Sequence, residues 1–142
     1  MKKAVIVGGS NGIGLAIAKK FIENNYHVCI LDMVSPDDSA MLDKESYSYY
    51  PCNLLDFDEA LFKELSEDSD VEALMITAGF GRVADFEYLH SAEIQNMLQV
   101  NTIAGIKIIR SFYNKIKDPK DFYCGMMGSI AGLISSPMFS VY

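Results

Sequence analysis

Short runs of β-branched and aromatic residues alternate along this chain with stretches whose apolar residues recur every three or four positions. The runs at Lys3–Val7, His27–Leu31, Tyr47–Pro51, Val71–Ala78 and Phe122–Met127 predict strands. After the first run, the spacing predicts a helix from Gly12 to Asn24, with Ile13, Ala16, Ile17 and Phe21 on one face. A weak second helix, or a loop, follows Ser35 and Pro36. A third helix is signalled by Asp56 at an N-cap position and Glu59 three residues on, ahead of Leu61, Phe62 and Leu65. The longest is expected from Ser91 to Ile116, with Ile94, Met97, Leu98, Asn101, Gly105, Ile108, Ile109 and Phe112 facing inward and Pro119 stopping it.

Strands that alternate with helices imply a parallel sheet, and right-handed crossovers place helices on both of its faces. The expected fold is therefore α/β, a doubly wound parallel sheet of Rossmann type. Half the residues are hydrophobic and 22% are charged, which over 142 residues suits one domain, taken as residues 1–142. In such a sheet, ligands bind outside the carboxyl ends of the strands, where the strand order reverses.

Charge and cysteines narrow the class. The net charge is −7, and the 12 basic residues are scattered, so no stripe could track a nucleic-acid backbone. Cys29, Cys52 and Cys124 each lie in an apolar run without metal-type spacing and are expected to be buried, reduced thiols in a cytoplasmic protein. The opening MKKAVIVGG has too short an apolar run for an export signal, and no apolar run is long enough to span a membrane. His27 and His90 have no paired ligand spacing and are expected at the surface; no metal is implied.

Chemistry enters at Gly8-Gly9-Ser10-Asn11-Gly12-Ile13-Gly14, which follows the first strand and opens directly into a helix. Glycines allow such a turn and let a pyrophosphate approach the N–H groups at the helix start. The spacing fits neither GxGxxG nor a Walker loop, leaving Gly-x-x-x-Gly-Ile-Gly, which can also be a plain structural turn. Asp32 at the end of the second strand supplies a carboxylate suited to both hydroxyls of an adenosine ribose, and its charge would oppose a 2′-phosphate. Asn11 and Met33 stand where a basic residue could receive that phosphate, so NAD is expected over NADP.

Together these residues resemble the short-chain dehydrogenase/reductase family, from Lys3 to Tyr142. Gly8, Ser10, Asn11, Gly12, Ile13 and Gly14 match its Thr-Gly-x-x-x-Gly-Ile-Gly loop, with Val7 in place of the Thr. Asn53 and Leu54 match its Asp-Val segment, where an amide can still hydrogen-bond adenine. Ala78 and Gly79 match the end of Asn-Asn-Ala-Gly, both Asn being replaced, by Ile76 and Thr77. Asn101 matches the family's Val-Asn segment, and Ser129 precedes Tyr142 by the family's 13 residues.

The resemblance implies a sheet ordered 3-2-1-4-5, a nicotinamide cofactor and a small alcohol or carbonyl substrate. It implies that Tyr142 exchanges the substrate proton, that Ser129 hydrogen-bonds the same oxygen, and that Asn101 anchors a relay water. In the family, a lysine four residues after the tyrosine lowers the phenol pKa, and a further helix and two strands follow. Those positions lie past residue 142, so over this length impaired turnover is expected, as is an uncovered apolar face that favours association with a second copy. The alternatives are a dinucleotide-binding module without catalysis and a fragment of an interrupted gene.

Overall fold

Strand β1, Lys3–Val7, lies at the centre of the sheet because its side chains are apolar on both faces, and Ala4 to Val7 are buried. A computed structural model describes residues 1–37, 39, 42–118, 122–134 and 137–141. Within it, β1 pairs in parallel with β2 (His27–Asp32) and β4 (Val71–Ile76), placing Val5 beside Cys29 and Leu74. Strand β3 (Tyr47–Pro51) adds to β2 and β5 (Tyr123–Met126) to β4, completing the order β3-β2-β1-β4-β5. The order reverses between β1 and β4, so the crevice for a ligand opens beyond Val7 and Ile76.

Alternate residues of the strands feed two cores. Val5, Val7, Leu31, Leu74 and Ile76 pack with Phe62 of α2 (Glu59–Glu67), Ile108 of α4 (Gly105–Ser111) and Phe112. On the other face, Ile6, Val28 and Ile30 pack with Ala18 of α1 (Gly12–Glu23), flanked by Ile17, Phe21 and Ile22. Each fully buried Phe or Ile contributes about 1.5–3 kcal/mol by leaving water.

Several expectations are corrected. Helix α1 turns Gly14 and Ala18 inward, because only small side chains let it lie close to the sheet, while Ile13 is 61% exposed and Ala16 is also exposed. Helix α2 is capped by Asp58, whose carboxylate accepts from the Leu61 N–H at 3.0 Å; Asp56 belongs to the preceding turn, its N–H donating to the Asn53 carbonyl. The long fourth helix is divided into α3 (Ser91–Leu98), a π turn over Gln99–Ala104, α4, and α5 (Tyr113–Ile116). The π turn shifts the helical phase, and Leu98, expected inward, is exposed. Cys124, expected to be buried, is exposed on β5, and His27 is half-buried, its Nε2 2.8 Å from Ser48 Oγ. Pro119 and part of the stretch after Pro36 lie outside the described residues. Strand β5 forms one edge of the sheet, with Tyr123 74% exposed.

One side chain joins β4 to the glycine loop. Thr77 Oγ1 donates to the carbonyls of Val7 and Gly8, each at 3.0 Å, tying the end of β4 to the start of the glycine loop. Thr77→Val, which keeps the shape and removes the hydroxyl, should cost about 1 kcal/mol in a denaturant melt. Unchanged stability would show that this tie has no role.

Candidate functional site

The glycine loop is held from three sides. Gly8 lies in the left-handed region at φ 84°, and a Cβ there would come within 2.6 Å of the Ala78 nitrogen. Ser10 is buried beneath the loop; its N–H donates to Asp32 Oδ2 at 3.0 Å and its hydroxyl to the Val34 carbonyl at 2.5 Å. The other carboxylate oxygen of Asp32 accepts from the Met33 N–H at 2.8 Å. Asp32 is thereby aimed by backbone N–H groups on both sides, and each oxygen retains a lone pair for a hydroxyl.

At the start of α1, Asn11 makes no side-chain cap hydrogen bond and the first turn contains no acidic residue. The N–H groups there keep their positive field, and no side-chain carboxylate competes for it. Gly12, at φ 52°, has nothing within 4 Å of where a Cβ would stand, so the backbone can be approached closely from outside. These are the features a pyrophosphate needs.

Around the loop two cavities meet. One of about 260 Å³ is lined by Gly8, Asn11, Asp32, Asn53, Leu54, Ala78 and Gly79, together with Cys52 and Val100. The other, about 350 Å³, is lined by Ile13, Thr77, Asn101, Met126 and Ser129. Thr77, Ala78 and Gly79 line both, so one elongated ligand could run from Asp32 to Ser129 past the switch point. Ser10, Gly12 and Gly14, also expected at the site, are not among the residues lining either cavity.

Asn101 stands in the π turn and uses both ends of its amide on one neighbour. Its Nδ2 donates to the Phe80 carbonyl at 2.7 Å and its Oδ1 accepts from the Phe80 N–H at 3.0 Å. This clamp fixes the loop after Gly79 over the cavity. Ser129 caps a short 3₁₀ turn, Ile130–Gly132; its Oγ accepts from the Ala131 N–H at 3.2 Å and keeps its own O–H to donate. Tyr142 lies outside the described residues. Thr77 and Phe80 escape the sequence reading, as does Gln99, whose Nε2 donates to the Leu54 carbonyl at 3.1 Å. Thr77 alone left a signal, a hydroxyl residue where the resemblance has an amide.

Cys52 borders the first cavity with a thiol whose pKa is pushed up to about 11, first by burial and then by the charges of Asp58 and Asp32. The protonated thiol is unreactive. In timed alkylation followed by mass spectrometry at mildly alkaline pH, Cys124 should label before Cys52, and equal rates would contradict this. In the unfolded chain the same thiol ionises near 9.0. Its contribution to stability is therefore intact below that pH and is lost as pH rises toward 11.

A parallel sheet ordered 3-2-1-4-5, with a glycine loop at its switch point, defines a Rossmann-type fold. A family model for short chain dehydrogenase matches residues 2–142. The chain belongs to the short chain dehydrogenase family. It is 24% identical over 142 residues to an uncharacterized oxidoreductase of Saccharomyces cerevisiae, covering 98% of this chain and 46% of that protein. To the short chain dehydrogenase helC of Aspergillus fumigatus it is 27% identical over 152 residues, covering 100% of this chain and 58% of that one. The chain thus spans about half the length of the curated relatives it matches. Among solved structures, it resembles a short-chain dehydrogenase from Sphingobium yanoikuyae in complex with NADPH, with a TM-score of 0.88 and 21% identity, covering 100% of this chain and 59% of that one. It also resembles 4-hydroxyisoleucine dehydrogenase complexed with NADH, with a TM-score of 0.81 and 24% identity, covering 100% of this chain and 62% of that one. Among the described residues, no helix is long and apolar enough to cross a membrane, and no group of three or more His, Cys, Asp or Glu could hold a metal ion.

Proposed function

We propose that residues 1–142 form the NAD-binding domain of an oxidoreductase that interconverts a small alcohol and its carbonyl. The observation that carries this reading is the junction of an open glycine loop with a carboxylate, Asp32, already oriented by the N–H groups of Ser10 and Met33. The α1 N-terminus and the loop from Gly8 to Gly14 receive the pyrophosphate. Asp32 accepts from the adenosine ribose hydroxyls, and Asn53 and Leu54 border the base. Ala78 and Gly79 carry the path on toward Asn101 and Ser129.

The nicotinamide, when bound, supplies or takes up hydride. The residues of the chain handle the proton and the oxygen. Tyr142 gives or takes the proton of the reacting oxygen, and Ser129 donates its O–H to that same oxygen, favouring its anionic form. While its amide holds Phe80, Asn101 can still anchor a relay water through its second Nδ2–H or its main-chain carbonyl. The buried Cys29 and Cys52 suit a reducing compartment, the cytoplasm. The exposed aromatic side chain of Tyr123 on the edge strand β5 suits contact with a second copy.

The test is calorimetric titration of the protein with NADH and NADPH. NADH should bind, with NADPH weaker by about tenfold or more because its 2′-phosphate meets the Asp32 carboxylate. Absence of binding by either dinucleotide would end this reading.

A further inference from the structure

We infer that Gln99 is a positioning residue for the dinucleotide: from the π turn it holds the wall formed by Leu54 and Leu55, and that hold sets the affinity for the adenosine half of the ligand. The inference rests on the NAD-binding reading above. It starts from Gln99, Val100 and Asn101, three consecutive residues of the π turn that reach three different places. Asn101 lines the cavity that contains Ser129 and clamps Phe80, while Val100 lines the cavity that contains Asp32. Gln99 crosses to the turn after β3, where its Nε2 donates to the Leu54 carbonyl at 3.1 Å.

The turn that carries this wall is tied at few points. Its start is pinned to β2, where the Cys52 N–H donates to the Asp32 carbonyl at 2.8 Å. Its middle closes on itself, the Leu55 N–H donating to Asn53 Oδ1 and the Asp56 N–H to the Asn53 carbonyl, each at 3.0 Å. Those bonds shape the turn without fixing how far it stands from the π turn. Among the described residues, the bond from Gln99 is the one hydrogen bond that joins the two. The side chains of Leu54 and Leu55 line the 260 Å³ cavity together with Asp32 and Val100. With the ribose at Asp32, the adenosine fills that cavity, and the bond from Gln99 holds its wall at the right spacing before any ligand arrives. Without the bond, the turn keeps its shape but is free to stand farther from Val100, and binding must supply the lost order. If the bond did no more than satisfy the carbonyl of buried Leu54, its loss would appear in stability alone.

The experiment titrates NADH, and ADP-ribose, which lacks the nicotinamide, into the native protein and into Gln99→Met, which keeps the length of the side chain and removes its N–H. Calorimetry well below the melting temperature reads the affinity of folded protein, which a loss of stability alone does not move. Both ligands should weaken by the same factor of about three- to tenfold, the size of one hydrogen bond. If Q99M fails to fold, Q99E, which has the shape of the native side chain and no N–H at neutral pH, reads the same quantity. A loss for ADP-ribose of less than about threefold would overturn this inference alone, whether NADH is unaffected as well or is weakened through Asn101 and the nicotinamide half. Failure of the native protein to bind either ligand would overturn it together with the reading on which it rests.

Discussion

Gly14→Ala should lower stability by about 3 kcal/mol, seen as a fall in Tm of roughly 6–12 °C. The added Cβ would run into the Gly8 carbonyl and would stand 2.6 Å from Thr77 Oγ1. Neither neighbour can give way cheaply: one is backbone, and the other is tied to the Val7 and Gly8 carbonyls. Helix α1 would have to lift from the sheet, loosening its contact with Ile6 and Ile30. Gly12→Ala is the informative contrast. Its position is left-handed at φ 52° but has no neighbour within 4 Å, so the cost is the conformational strain of about 1–2 kcal/mol. That Cβ would instead obstruct the approach of a pyrophosphate. Thermal melts and NADH titrations of both variants should therefore separate, with Gly14→Ala losing mainly stability and Gly12→Ala mainly affinity. A Gly14→Ala protein that melts with the native one would refute the packing argument, and a Gly12→Ala protein that binds NADH normally would refute the placement of the phosphates.

What was legible in the sequence follows from which forces leave a periodic trace. Val28 to Leu31 and Ala4 to Val7 are buried on both faces, so they appear as unbroken apolar runs, and the parallel sheet could be read from them. The face of α1 was legible only in part, since Ile17 and Phe21 pack against the core while Ile13 and Ala16 do not. Apolar periodicity gives weight to large residues, whereas the buried side of this helix is made by Gly14 and Ala18, chosen for close approach to the sheet. A π turn leaves no composition signature; it slips the phase by one residue and looks like the continuation of a helix until the partners of Asn101 are known.

The candidate site was legible as residue types at fixed spacing, and its supporting bonds were not. Asp32 could be assigned a ribose, but the two N–H groups that aim it belong to backbone conformation. Thr77 could be seen only as the loss of an amide, because nothing in a sequence tells which way a hydroxyl turns. Asn53 could be seen as an amide at the end of β3; that its oxygen accepts from the Leu55 N–H is a property of the turn.

Asp32→Ala should weaken NADH binding by about tenfold or more, and the change in the NADH to NADPH ratio decides why. The carboxylate has two functions. It accepts from the Ser10 and Met33 N–H groups, which shapes the glycine loop, and it reads the ribose. Removing it leaves those N–H groups without their acceptor, at a cost of about 1–3 kcal/mol to the loop. If shaping the loop were its only function, both dinucleotides would need that loop equally, and both would weaken together with no change in their ratio. If it also reads the ribose, NADH loses its acceptor while NADPH loses a repulsive neighbour, and the ratio should shift toward NADPH by about tenfold. The ratio is insensitive to loop damage that affects both ligands alike. It therefore isolates the electrostatic role of one carboxylate from the structural role of the same atoms.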